Sequence, residues 1–211
     1  MLQTDGTPAG SNAGWVQVKP DTSSISPVGA GVFSYSQGGV RVTESGVPAA
    51  AATTHAHIYV DQSDGHDTGL ALACPGSSGI NVSLKAYQTD GSTAAGSSAL
   101  SMNGNGHTAS FVGQLISGLP TGFTGILDIS SPAPFVALTL RSLTNARGDF
   151  LVTTFPVADL TQVAPTPIVF PQIVDGGGYT TQFILLSAGS ASNVTVLFYD
   201  EKGAPLAIGK K

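Results

Sequence analysis

The chain repeats itself, and that repeat constrains its fold more than any single motif. Gly125-Ile-Leu-Asp-Ile129, Pro134-Phe-Val-Ala-Leu-Thr-Leu140 and Leu151-Val-Thr-Thr-Phe-Pro156 recur near the start. There they read Gly14-Trp-Val-Gln-Val18, Pro27-Val-Gly-Ala-Gly-Val-Phe33 and Thr43-Glu-Ser-Gly-Val-Pro48. Val82-Ser-Leu-Lys-Ala-Tyr87 recurs near the end as Val194-Thr-Val-Leu-Phe-Tyr199, with Gln62 matching Gln172 and turn glycine Gly91 matching Gly203. The period, roughly 110 residues, is too long for a solenoid repeat and suits one small domain per copy. Residues 57–160 therefore read as a complete module. Residues 1–50 match its C-terminal half and residues 167–211 its N-terminal half. Between them the two halves lack only the counterpart of Leu100 to Phe111, a strand and a turn.

The local pattern predicts an all-β chain. With 27 Gly, 13 Pro and only 10% charged residues, disorder is the competing reading. The 41% of hydrophobic residues fall in short β-branched runs, which favours a folded β protein. Strands are expected at 14–18, 28–35 and 39–43, then at 55–60, 68–74, 80–88, 99–102 and 108–111. Phe111 to Ile116 reads as a short helix or turn, and further strands are expected at 124–129, 135–141 and 149–154. The last half-module should add strands near 168–172, 180–187 and 193–199. Asn103-Gly-Asn-Gly106 is a hairpin turn signal, because Asn-Gly accepts positive φ. Pro48 to Thr54 and Val163 to Pro167 read as linkers, the second stiffened by its prolines. About seven short strands per module suggest immunoglobulin-like β-sandwiches, one continuous and one assembled from the N- and C-terminal halves. The Cys…Trp…Cys core signature is absent.

A net charge of −5 gives no basic footprint for nucleic acid. No apolar run approaches the roughly 18 residues a membrane span needs. Cys74, the single cysteine, allows no intrachain disulfide. Alternation places it with Leu70 and Leu72, as a small buried apolar residue. Met1-Leu-Gln-Thr-Asp5 lacks the basic and apolar regions of a signal peptide. Because it opens mid-module, the expectation is a piece of a longer secreted chain.

Five segments together resemble a known kind of sequence. They are Gly14-Trp-Val-Gln-Val18, Glu44-Ser-Gly-Val-Pro48, His66-Asp-Thr-Gly-Leu-Ala-Leu-Ala73, Leu138-Thr-Leu-Arg-Ser-Leu143 and Gly148-Asp-Phe-Leu151. The combination resembles the tandem immunoglobulin-like β-sandwich modules of large secreted proteins of soil bacteria. The resemblance implies an extracellular or cell-surface stalk or adhesive array. Cys74 departs from it, since similar modules often have a polar residue there.

Three carboxylates on the loop Asp61-Gln-Ser-Asp-Gly-His-Asp67, namely Asp61, Asp64 and Asp67, are the candidate metal ligands. Ca²⁺, which takes oxygen donors from short loops, is the one cofactor they suggest. The spacing is not that of an EF-hand, and the repeat counterpart keeps only Asp175. His55 and His57 would share a strand face, yet the sequence offers no third ligand for zinc. Gly-x-Ser-x-Gly, His-Glu-x-x-His and Cys-x-x-Cys are missing, so a non-enzymatic role is expected. Arg147 with Asp149, and Arg41 with Glu44, are candidate surface ion pairs. Trp15, Tyr35, Tyr59, Tyr87, Tyr179 and Tyr199 could stack on sugar.

Two functions follow as expectations. One is an extracellular structural or adhesive module that joins copies of itself, or neighbours in a parent chain, head to tail by strand complementation. Such a contact is open-ended and builds a filament. The alternative is a carbohydrate-binding module with a glycan partner, with or without Ca²⁺.

Overall fold

A computed structural model of the chain describes residues 3–4, 6, 10–163, 166–187, 193–206 and 208. It divides into two compact units, residues 1–161 and 162–211. The fold is all-β. No helix among the described residues is long and apolar enough to cross a membrane.

In the first unit the strands are β1 (Ala30–Gln37), β2 (Val40–Pro48), β3 (Thr53–Asp61), β4 (His66–Ala73), β5 (Ile80–Gln88), β6 (Ala94–Met102) and β7 (His107–Phe111). A single helical turn, α1 (Val112–Leu115), precedes β8 (Thr124–Thr144), β9 (Phe150–Phe155) and β10 (Ala158–Asp159). All pairings are antiparallel. Alternation decides which side chains face inward. Ala56, Ile58 and Val60 of β3, Leu70 and Leu72 of β4, Val82 and Leu84 of β5, and Leu127 and Ile129 of β8 all enter one apolar cluster. Each fully buried aliphatic side chain there is worth about 1.5–3 kcal/mol. The short helical turn is stitched by the Phe111 N–H donating to Gln114 Oε1, and it delivers Val112 and Ile116 to the same core.

β8 is the hub. Residues 124–130 lie between β3 and β5, whereas residues 136–143 lie between β4 and β9. Two separate strands are expected from the sequence, because Ser130-Ser-Pro-Ala-Pro134 has the composition of a turn. In the structure this stretch stays extended and carries the chain from one set of ladders to the other. The prolines fit extended backbone and have no N–H to give to a ladder. The pairing to β3 jumps across them, from His55 opposite Ser130 to Thr53 opposite Phe135.

The β1–β2 hairpin turns at Gly38 and Gly39, with φ of 57° and 78°. It is tied to β9 through Thr43, whose hydroxyl donates to the Val152 carbonyl and accepts from the Val152 N–H. Asn105, with φ of 57°, supplies the positive-φ turn expected in Asn103 to Gly106. Its carbonyl accepts from the Trp15 indole at 3.0 Å. Residues 14–18 form no strand. The second unit forms no named strand among its described residues, only isolated bridges from Gly176 to Tyr179 and Tyr199 to Pro205. Apolar alternation favours extended backbone there, but a strand also needs a neighbour to complete its hydrogen bonds. Its rings cluster instead, with Phe183 centred 5.0 Å from Phe170 and 5.9 Å from Phe198.

Candidate functional site

Since the inward positions of β3, β5 and β8 fill the core, the intervening ones share the opposite face. Register sorts them into three rows. Tyr59 and Tyr87 flank Ile126, His57 and Lys85 flank Asp128, and His55 and Ser83 flank Ser130. Lys85 is exposed and the other eight are half-buried. An aromatic row thus borders a polar one on a rigid sheet.

The middle of this face holds the tightest polar cluster. His55 Nε2 lies 2.6 Å and His57 Nε2 3.0 Å from the same oxygen, Oδ2 of Asp128. The two imidazoles meet nearly edge to face, with centroids 5.8 Å apart. The Asp128 side chain is 15% exposed, that of His57 17% and that of His55 43%. Each ring presents an Nε2–H to the carboxylate, leaving the buried Nδ1 of His57 without a hydrogen-bond partner. His55 and His57 do share a face, as their spacing predicts, and the third group that the sequence did not reveal is Asp128.

The acidic loop is built differently. Asp61, whose side chain is 6% exposed, binds Arg141 Nη2 at 2.6 Å. It also accepts from the Ser63 N–H and hydroxyl, at 3.1 and 2.7 Å. Burial by itself would raise the Asp61 carboxyl, but the hydrogen bonds from Ser63 and Arg141 outweigh it and hold the group below its ordinary value. Asp67 accepts from the Gln62 amide and the Thr68 N–H. Asp64 is exposed on the turn, at a φ of 49°. Asp61 and Asp67 thus brace the loop through separate partners. Among the described residues, the group of three metal-type side chains within ligand reach of one another is His55, His57 and Asp128.

The other candidates are dispersed. Cys74 is buried, and its thiol faces the Gly76 and Ser78 carbonyls. Tyr59 tilts against Phe155 at 6.2 Å, and burial, followed by the Asp61 charge, raises its phenol. Tyr35, Tyr179 and Tyr199 are exposed elsewhere. The Arg147–Asp149 and Arg41–Glu44 pairs both form at the surface, at 3.0 and 2.8 Å.

Beside β1, an apolar groove of about 300 Å³ is lined by Phe33, Leu70, Phe111, Leu140, Phe150 and Val152, among others.

No protein-family model matches the chain, and no curated protein or solved structure matches it.

Proposed function

We propose that the chain is a secreted structural or adhesive repeat module of immunoglobulin-like β-sandwich type. On this reading it joins copies of itself head to tail, the C-terminal half-module of one chain completing the N-terminal half-module of the next. One observation carries the reading. Among the described residues, Phe150 is the only exposed large apolar side chain from 53–161; the others lie in the flanks. Val16, Val18, Ile25, Val28, Val32 and Val40 are exposed on the N-terminal side, and Val169, Phe170, Val194, Val196 and Leu197 in the second unit. These are the segments that the repeat matches to core-forming strands of the complete copy. Val196 corresponds to the fully buried Leu84. Exposed apolar segments of this kind favour a partner that covers them.

Light scattering on the purified chain over a wide concentration range tests the proposal. Growth of the mean mass with concentration is expected, together with its loss in Val196→Lys and Val32→Lys variants. A strictly monomeric chain at every concentration would sink it.

A second reading has its own support in the Tyr59–Ile126–Tyr87 row beside the polar row, a layout suited to stacking a sugar ring and hydrogen-bonding its hydroxyls. It predicts glycan-array binding that Tyr87→Ala abolishes. An array without hits, with and without Ca²⁺, would count against it.

A further inference from the structure

We infer that His55, His57 and Asp128 form a binding site for a divalent first-row transition ion, Zn²⁺ being the reference case. Two imidazoles and one carboxylate are the donor set of three-ligand zinc sites that keep a position open. The same set excludes Ca²⁺ and Mg²⁺ as the preferred ions, because those take oxygen ligands.

The geometry is close to what such an ion requires. Donor atoms around one tetrahedral Zn²⁺ stand roughly 3.3 Å apart, given metal–ligand lengths of about 2.0–2.2 Å. Here both Nε2 atoms lie 2.6–3.0 Å from Oδ2, and the three ligand atoms all fall within 4.8 Å of one another. Admitting the ion requires the His57 contact to open by roughly 0.3 Å and the His55 contact by roughly 0.7 Å. The backbone is already fixed. His57 and Asp128 are direct cross-strand partners, and His55 stands two residues along the same strand face. A sheet holds such a site more firmly than a loop does.

One further feature leaves the Asp128 carboxylate available to an ion. Lys85, the neighbour of Asp128 on β5, is exposed and makes no ion pair with it, which leaves the carboxylate charge to the histidine side. His55 is the most exposed of the three and faces solvent, giving the ion both an entry path and an open coordination position.

The test is calorimetric titration of the full chain, stripped with a chelator, using Zn²⁺ and separately Ca²⁺. Co²⁺ serves as a visible probe of coordination. One Zn²⁺ should bind per chain and Ca²⁺ should not compete for it. Co²⁺ should give d–d bands that Zn²⁺ bleaches. His57→Gln and Asp128→Asn should each weaken Zn²⁺ binding by at least about tenfold to a hundredfold, the loss that removing even an outer partner of a metal ligand brings. His66→Gln and His107→Gln should bind as the parent does. Should His57→Gln lose its far-UV circular dichroism, the more exposed His55→Gln carries the same test. No saturable Zn²⁺ binding, or binding of unchanged affinity in folded His57→Gln or His55→Gln, would overturn the inference.

Discussion

Replacing Asp61 by Asn removes one charge at nearly constant volume and isolates the buried arginine–carboxylate pair of the first unit. The new amide can still accept from Ser63, but its NH₂ faces the Arg141 guanidinium donor to donor. A hydrogen bond to a charged group is worth about 1.5–3 kcal/mol, and breaking a fully buried pair costs about 3–5 kcal/mol. The Arg141 side chain is 30% exposed and regains part of its hydration, so the loss should fall near ~2–3 kcal/mol. Urea melts followed by far-UV circular dichroism suit the measurement, because the named strands lie in the first unit and dominate that signal. The pH dependence gives a second, independent check. The folded Asp61 carboxyl is held below its ordinary value, so the unfolded chain binds more protons there. The stabilisation is complete above about pH 4 and is lost as pH falls through the folded value. The gap between parent and Asp61→Asn should therefore close in acid. A variant that melts like the parent at neutral pH, or a gap that stays constant into acid, would refute the argument.

Other sites yield simpler expectations. Phe135 is fully buried where β8 passes between its two sets of ladders, so Phe135→Ala should cost about 3–5 kcal/mol in the same melts. A loss under about 1 kcal/mol would show that the passage is not part of the core. Cys74 is fully buried, and a thiol reagent should label it only at the rate of unfolding; prompt labelling of the native chain would contradict its placement.

The strands of residues 53–155 were largely legible in the sequence, because period-2 alternation and glycine-marked turns report strand existence directly. Most of them fall where that pattern puts them. What escaped was pairing. Asp128 sits 71 residues from His57 and Arg141 80 residues from Asp61, so only the register of β8 brings them together. A signal for Asp128 was nonetheless present, as the one charged residue in Gly125-Ile-Leu-Asp-Ile129, standing at an outward position between core-facing Leu127 and Ile129. The continuity of β8 was hidden for another reason, since Ser and Pro mark turns as readily as they mark an unpaired extended bridge. In the flanks the alternation is equally clear, yet residues 14–18 and 168–172 form no strand. Side-chain pattern specifies which face is apolar, and hydrogen-bond partners decide whether a ladder exists.

That distinction separates the metal cluster from assembly. In the repeat register, Asp128 corresponds to Gln17, and Pro165 and Pro167 stand where His55 and His57 would be. The segments that match this stretch by sequence therefore lack the three ligands. The three side chains of the cluster lie on β3 and β8, whereas the exposed apolar residues proposed to join chains lie in residues 16–40 and 168–206. Residues that share no partners contribute additively to within about 0.5 kcal/mol. His57→Gln should thus leave the concentration dependence of the mean mass unchanged, and Val196→Lys should leave Zn²⁺ affinity unchanged. Measuring both variants in both assays gives a four-way comparison. If Zn²⁺ binding disappears along with self-association in Val196→Lys, the ion is held between chains, and the assignment of all three ligands to one chain is wrong.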